Sequence, residues 1–323
     1  MVHATSVLAA GMFVDHVART TTQAVAQPWW SGFEDAALDR LMAASHGAAE
    51  SGVAAAYIAL KVKTLELVYL ENTRAAVARQ SALIRGNAWP HDDFAKQLAA
   101  RQGGADATIG KLKAQRASYI TYLAAQCRMP EAALAELLAD ALQDKSLPRF
   151  AAEVPRELPM AVLANRNDIH LAAALYEADP GAMPAGTIGA ADEAQDIDVP
   201  GKPLYARAVM QARDQVAGAL QHLRMQSDIA NTAYARVAQA RADFEASKAR
   251  RDRGEISEVQ LMEDFQGLLL DLHVLAAANG ELAMAWVLFM GSIGNDTSVD
   301  AMARPPATQM PFLHKVSRKL RNP

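Results

Sequence analysis

Cysteine is almost absent from this chain of 323 residues, since Cys127 is its only one. No disulfide can therefore form within the chain, and the low cysteine content suits either the cytoplasm or the periplasm. A catalytic thiol needs a basic partner that lowers its pKa, and the sequence shows none for Cys127. We expect Cys127 to be a small buried or half-buried side chain.

Aromatic residues are also scarce, at 6% of the chain, although the residues AVILMFWYC together make up 51%. Alanine dominates that apolar fraction, and alanine has the highest helix propensity and little preference for strands. The composition therefore predicts an all-α protein. The formal net charge is -4, so charge gives no support to a nucleic-acid partner.

Membrane-spanning and targeting segments are missing as well. No uninterrupted apolar run reaches the roughly 18 residues that a helix needs to cross a bilayer, so no integral membrane insertion is expected. The stretch Ser6–Val14 is mildly apolar, but no Lys or Arg precedes it. As it stands, that stretch is a poor signal peptide.

Catalytic motifs are absent too. The eight histidines are scattered, and none forms an i, i+4 pair beside an acid. The chain has no His-Glu-x-x-His motif, no phosphate-binding glycine loop and no nucleophile elbow. We expect no enzymatic activity, no bound metal and no cofactor.

What the chain does contain is a long-range repeat of itself. Arg85 and Gly86 end one long alanine-rich segment and are followed by polar residues and Asp92. Arg253 and Gly254 end another such segment about 170 residues later. Each glycine is expected at the tip of an antiparallel helical hairpin, and two such hairpins indicate an internal duplication.

Apolar periodicity, with glycine and proline as breaks, predicts the order of the elements. The pair Gly103-Gly104 marks a place where the second long helix could be dented, and 179–203 is expected to be a loop. The expected long helices cover about 48–84, 92–127, 204–251 and 256–290, and shorter helices cover about 130–142 and 160–177.

These elements predict one helical domain at 28–295, with a first repeat at about 28–150 and a second at about 151–295. The flanking segments 1–27 and 296–323 are expected to be flexible. The last segment is basic and has no acid from Ala301 onward. Such a tail is usually solvated, although an anionic surface could hold it. Its basic residues are Arg304, Lys315, Arg318, Lys319 and Arg321.

Two of the long helices carry seams at heptad spacing, the first rich in alanine and the second rich in leucine. A sustained period of 3.5 residues implies left-handed coiled-coil packing, with small residues facing large ones. Gln226 and Asn279 each place a polar group in a seam, where it would select the register; a functional polar layer is the alternative. The seam positions are Val209, Ala212, Val216, Ala219, Leu223, Gln226, Ala230, Ala233, Val237, Ala240 and Phe244, and Leu261, Phe265, Leu268, Leu272, Leu275, Asn279, Leu282, Trp286 and Phe289.

Four landmarks occur in a specific order between residues 28 and 295. They are Trp29-Trp30-x-x-Phe33-x-Asp35-x-x-Leu38-x-x-Leu41; the tips Arg85-Gly86 and Arg253-Gly254-x-x-Ser257; Leu158-Pro159 with Leu163 and Arg166-Asn167-Asp168-Ile169; and Gly291-Ser292-Ile293-Gly294. Together they resemble the TolC-like outer membrane factors, the exit ducts of tripartite efflux pumps and type I secretion systems. The resemblance is closest to the branch that works with RND-type pumps, with Asn167 in place of a proline.

The chain departs from that family in the segments that should form strands. Family members have two β-hairpins per chain, and three chains close a twelve-stranded barrel in the outer membrane. Between Leu41 and Gly86 lie only about 45 residues, which read as helix or short loop. Pro180–Pro203 lacks the apolar and polar alternation that transmembrane strands need. The resemblance therefore implies elongated antiparallel coiled-coil hairpins, the TolC-like helical barrel portion without the membrane β-barrel.

The resemblance also implies where a functional site would lie. In the family the hairpin tips meet a periplasmic adaptor protein, and acids beyond the tips line a closed aperture. Turn chemistry is the other interpretation of the two glycines, and a solvated helix face is the other interpretation of Glu263. Gln260 stands where the family has an acid, which weakens a cation-binding or charge-gating role. The tip positions are Arg85, Gly86, Arg253, Gly254 and Ser257, and the aperture positions are Asp92, Gln260 and Glu263.

As a function, the resemblance implies a non-enzymatic component of a cell-envelope efflux or secretion assembly. It would act in the periplasm, where it could associate with the outer membrane, as a helical duct or spacer. It would associate with copies of itself, as a trimer if it forms a duct, or with an adaptor or other envelope protein. The alternative is a structural helical-bundle scaffold with no conduit.

Overall fold

Helices account for nearly all of the structure, a computed structural model that describes residues 28–45, 50–86, 92–144, 146, 150, 152–181, 183–189 and 201–294. The elements in chain order are a first 3-10 helix (Trp29–Phe33), α1 (Ala36–Ala44), α2 (Glu50–Gly86), α3 (Asp92–Gln126), α4 (Glu131–Leu137), α5 (Ala139–Gln143), β1 (Leu158–Pro159), a second 3-10 helix (Met160–Asn165), α6 (Asn167–Leu175), β2 (Thr187–Ile188), α7 (Pro203–Asp252) and α8 (Glu258–Ser292).

The four long helices lie side by side in the order α3, α2, α8, α7. Helices α2 and α3 form one antiparallel hairpin, α7 and α8 form the other, and the contact between α2 and α8 joins the two. Among the described residues, α3 and α7 make no extended contact with each other. The predicted all-α fold of paired long hairpins is confirmed, and α3 and α7 are its edge helices.

The predicted seams form the contact between α7 and α8. Ala233 and Val237 of the α7 seam form a buried cluster with Leu275 of the α8 seam and with Ala278, which lies beside that seam. One seam position differs, since Leu220 is fully buried where Ala219 was expected. The predicted positions on either side of it, Val216 and Leu223, are buried as expected.

The two polar seam residues behave differently. Asn279 is buried among the apolar side chains of α8, as the seam predicts. Gln226 is only half-buried, so its amide is not enclosed in the core. Of the two, only Asn279 can act as a buried polar residue that selects the register.

Helix α8 is packed on two sides because it lies between α2 and α7. Gly280 lets α2 approach closely, since a Cβ placed there would lie 2.7 Å from Cγ2 of Val62. By length and composition α8 also qualifies as a candidate membrane span. Its apolar stretch is interrupted by polar residues, so the absence of an uninterrupted apolar run in the sequence did not indicate it. However, 67% of its apolar window is buried inside the bundle, which is the arrangement of a core helix.

The short elements lie beside the ends of the long helices that are far from the tips. Phe150 contacts Trp286 of α8 with ring centroids 5.0 Å apart, and Trp29 and Phe33 are buried. Cys127 is buried, with its Sγ 3.9 Å from the carbonyl oxygen of Leu41. Burial raises the pKa of this thiol, which fits the small buried side chain that was expected.

Asp35 ties these short elements to α2. Its carboxylate accepts hydrogen bonds from the backbone N–H groups of Ala37 and Leu38, which caps α1. It also accepts from the Tyr57 hydroxyl at 2.7 Å and from the Lys61 ammonium at 3.0 Å. Burial alone raises the pKa of Asp35, but the hydrogen bond from Tyr57 and the charge of Lys61 outweigh it and hold the pKa below its ordinary value.

The predicted helix at 160–177 is broken at Arg166. This residue has an extended backbone, with φ -79° and ψ 131°, and separates the second 3-10 helix from α6. Its guanidinium forms two hydrogen bonds with the carboxylate of Asp168 and donates a third, at 2.7 Å, to the carbonyl oxygen of Ser292. These bonds fix the start of α6 against the end of α8.

Other elements differ from the sequence-based expectation in smaller ways. The helix at 130–142 is two short helices that meet at Leu138. Helix α3 runs through Gly103-Gly104 without a break. Two residues at 158–159 pair with two at 187–188 as antiparallel strands. Segments 1–27 and 296–323 lie outside the described residues, so their predicted flexibility and the domain boundaries stay predictions.

Replacing Gly280 tests the close contact between α2 and α8. We expect Gly280→Ala to lower the free energy of unfolding by about 1–3 kcal/mol, because Val62 is buried and β-branched and cannot easily move aside. Gly267→Ala, on the same helix with no atom within 4 Å of the added Cβ, should raise it by about 0.5–1 kcal/mol. Urea denaturation measures both. A stabilising effect of Gly280→Ala would contradict the close contact.

Candidate functional site at the hairpin tips

The second tip is a tight helix-to-helix turn. Gly254 has a φ of 78°, and its N–H donates to the carbonyl oxygen of Arg251, while the N–H of Glu255 donates to that of Arg250. This pair of bonds is the Schellman arrangement that ends many helices. The hydroxyl of Ser257 then accepts from the N–H of Gln260 and caps α8. Turn chemistry therefore accounts for both Gly254 and Ser257.

The same tip presents a charged surface. Arg253 is exposed and pairs with Glu255 at 2.5 Å. The hydrogen bonds from Arg253, with the charge of Arg250, hold the pKa of Glu255 below its ordinary value. Gly254 and Ser257 are exposed as well, so this turn is accessible to a partner.

The first tip is described only on its α2 side. Gly86 is the last residue of α2, and Arg85 is exposed, with its guanidinium donating to the carbonyl oxygen of Ser81 in the same helix. Residues 87–91 and the side chain of Asp92 lie outside the described residues. The role predicted for Asp92 therefore stays a prediction.

Close behind the tips, a polar cluster joins the two hairpins; we call it the tip clasp. At its centre the Gln80 side chain of α2 is fully buried. Its amide nitrogen donates to the carbonyl oxygen of Val259 at 3.1 Å and to the Glu263 carboxylate at 3.3 Å. Its amide oxygen accepts from Gln266 at 2.7 Å. Arg101 of α3 completes the clasp by pairing with Glu263 at 3.0 Å.

The clasp brings three of the four long helices together at one level. An ion pair between Arg79 and Glu258, at 2.8 Å, lies next to it on the tip side. A shift of α2 along α8 would leave the buried Gln80 amide without hydrogen-bond partners, which costs free energy of folding. The clasp therefore fixes the register of α2 against α8 near the tips.

The two described aperture positions therefore differ in environment. The Glu263 carboxylate is engaged by Arg101 and Gln80 within its own chain, so it is neither a free acid nor a simple solvated residue. Gln260 is exposed and donates to Asp264 at 3.1 Å. Within the described residues there is no group of three or more His, Cys, Asp or Glu placed to hold a metal ion.

Sequence reasoning missed Gln80, Gln266 and Arg101. Each lies on a long helix among other polar residues, where a solvated face is the ordinary interpretation. Only the pairing of α2 with α8 shows that Gln80 and Gln266 face each other across 186 residues of chain.

Substitutions within the clasp should distinguish the contribution of its buried hydrogen bonds to stability from that of its exposed ion pair. We expect Gln80→Ala to lower the free energy of unfolding by about 1–3 kcal/mol, because Gln266 and the Val259 carbonyl lose their buried partner. Arg101→Ala removes only a partly exposed ion pair and should cost less than about 1 kcal/mol.

Urea denaturation and hydrogen–deuterium exchange of the amides at 259–266 measure this difference. Faster exchange is expected for Gln80→Ala and not for Arg101→Ala. Equal, small effects of the two substitutions would show that the clasp does not hold the tips together.

Comparison with known proteins gives matches at the level of structure only. No protein-family model matches the sequence, and no curated protein matches it. A crystal structure of CusC, from a study of folding and transmembrane channel formation, superposes with a TM-score of 0.60 at 16% identity, covering 76% of this chain and 77% of CusC.

Two further solved structures are similar over comparable lengths. The open state of the MtrE outer membrane channel of Neisseria gonorrhoeae has a TM-score of 0.53 at 14% identity, covering 80% of this chain and 68% of MtrE. The CmeC outer membrane channel of Campylobacter jejuni has a TM-score of 0.50 at 14% identity, covering 87% of this chain and 67% of CmeC. Likeness at such low identity establishes the fold alone. In its fold, this chain is similar over most of its length to TolC-family outer membrane channels.

Proposed function

We propose that this chain is a non-enzymatic helical duct or spacer of a cell-envelope efflux or secretion assembly, built by edge-to-edge association of its own copies. The observation that carries the proposal is the composition of the two edges of the four-helix layer. The fold is similar to that of outer membrane channels, which supports the assignment to an envelope assembly. We also propose that the protein acts in the periplasm.

The free edge of α3 is a stripe of small residues. Opposite the side that packs on α2, exposed small side chains follow a spacing of 3, 4, 3 and 4 residues. A regular heptad pattern on an exposed helix face is typical of packing against another helix, and small residues allow the backbones to come close. The stripe consists of Ala100, Gly103, Ala107, Gly110 and Ala114.

The free edge of α7 carries a matching stripe at a similar height above the tips. Its members are also small and exposed, and they lie opposite the seam that faces α8. Because α3 runs away from the tips and α7 runs towards them, the edges of two copies would meet antiparallel, as the helices within each hairpin do. This second stripe consists of Ala235, Ala238, Ala242 and Ala246.

In edge-to-edge contact of this kind, the α3 edge of one copy binds the α7 edge of the next copy. Such a heterologous interface closes into a ring if the rotation between copies allows it. If the chain forms a duct, the TolC-like resemblance leads us to expect a trimer, whose ring would contain twelve long helices. The exposed tip residues Arg85, Arg253, Gly254 and Ser257 then lie at one end of the duct, where an adaptor protein could bind them.

One observation favours the alternative of a scaffold without a conduit. Glu263, which would line the aperture of a duct, is instead paired with Arg101 of its own chain. This ion pair engages the Glu263 carboxylate within the chain, so that the carboxylate has a role that requires no lumen. The presence or absence of an open centre distinguishes the two functions.

The edge contact is tested by filling the space that a second copy would occupy. We expect Gly110→Leu to convert trimers into monomers without destabilising the single chain, because nothing lies within 4 Å of a Cβ at this position. Sedimentation velocity gives the mass, and urea denaturation gives the stability. Gly267→Leu is the matched control, since Gly267 is equally open but lies on the central helix α8.

The wild-type chain and Gly267→Leu should both sediment as trimers. A wild-type chain that stays monomeric, or a Gly110→Leu variant that remains trimeric, would contradict association through the α3 edge.

A further inference from the structure

One positive charge in the middle of α3 has no counterpart in its own chain. Between residues 101 and 113 the helix carries four charged side chains. Arg101, Asp106 and Lys113 each form an ion pair with a neighbouring helix of the layer. Lys111 is exposed and forms no ion pair among the described residues. It lies directly beside Gly110 of the α3 stripe, so its ammonium group borders the free edge.

A negative charge occupies a corresponding place on the α7 edge. Asp243 is exposed and lies directly beside Ala242 of the second stripe. Its carboxylate accepts a hydrogen bond from the Gln239 amide at 2.8 Å, and no cation of the described part of the chain pairs with it. The α3 edge therefore offers a positive charge and the α7 edge offers a negative one.

Contacts across the layer give the heights of these two charges above the tips. Arg101 of α3 meets Glu263 of α8 at 3.0 Å. Phe244 of α7 meets Phe265 of α8, with ring centroids 5.2 Å apart. Residue 101 is therefore level with about position 246 of α7. Because α3 and α7 run in opposite directions, Lys111 is level with about position 236.

In a ring whose copies lie at equal height, Lys111 of one copy faces the part of α7 that carries Gln239 and Asp243 in the next copy. Asp243 is seven residues closer to the tips than position 236, or about 10 Å along the helix. Side chains lean towards the N-terminus of their own helix. The Lys111 ammonium therefore leans towards the tips, and the Asp243 carboxylate leans away from them, so the two charged groups approach each other with Gln239 between them.

We propose that Lys111 of one copy binds the Gln239–Asp243 pair of the next copy and thereby fixes the register in which copies join. This inference rests on the edge-to-edge association proposed above and names the residues that orient it. The stripes alone do not specify a height, because their small residues recur every three or four positions and would pack equally well after a shift of one heptad. A charge pair that occurs once per interface removes that ambiguity.

Asp228 identifies what a shifted register would look like. It is exposed, and it is the next acid of α7 in the direction away from the tips, fifteen residues from Asp243. A copy displaced by two heptads would place Lys111 beside Asp228 instead. Asp228 is therefore the matched control for Asp243.

Charge reversal in the full-length chain tests the pair. We expect Lys111→Glu and Asp243→Lys each to raise the concentration at which trimers dissociate by about tenfold or more, because each brings like charges together at every interface. The variant that carries both substitutions restores opposite charges and should associate like the wild-type chain. Sedimentation velocity over a concentration series measures the dissociation, and added salt should reduce the effect of each single reversal.

Asp228→Lys should leave association unchanged, and urea denaturation should show the same stability for all of these exposed substitutions. Trimers that form equally well in every variant would overturn the pair and leave the edge contact intact. Dissociation caused by Asp228→Lys but not by Asp243→Lys would overturn the register. A wild-type chain that is monomeric at every concentration would instead contradict the proposed function, and the pair with it.

Discussion

The contact between α2 and α8 is the interaction on which the rest of the structure depends. It is the only extensive contact, among the described residues, that joins the two long hairpins. Gly280 allows the helices to approach against Val62, and the clasp around Gln80 fixes their register near the tips. Helix α8 is covered on both sides, and 67% of its apolar window is buried there. Its membrane-like composition is therefore that of a core helix.

The same contact determines what the chain leaves uncovered. Once α2 and α8 are central, α3 and α7 each have, near the tips, one side that packs on no other long helix among the described residues. Among the charged residues on those sides, each edge carries an exposed stripe of small residues, alanine with glycine on α3 and alanine on α7. Glycine in a helix interior costs stability in a single chain, so Gly103 and Gly110 have no benefit there. The proposed close contact with a second copy would give these two glycines a stabilising role.

The long elements could be predicted from the sequence because local signals agree with the tertiary structure. Alanine content, heptad seams and the Gly254 turn with its Ser257 cap all act over a few residues. The break at Arg166 could not be predicted in this way. Asn167 stands where the TolC-like pattern has a proline, and a proline there would have marked the break. The hydrogen bond that holds Arg166 in place runs to Ser292, 126 residues away. Gln80 and Gln266 were missed for the same reason.

The central claim is that the four-helix layer closes on further copies of itself through its two edges. Electron microscopy of the purified full-length chain, viewed along the helices, tests it most directly. The account predicts a ring of twelve rod-like densities from three copies around an open centre. Single copies with four helices, or copies associated without an open centre, would contradict it.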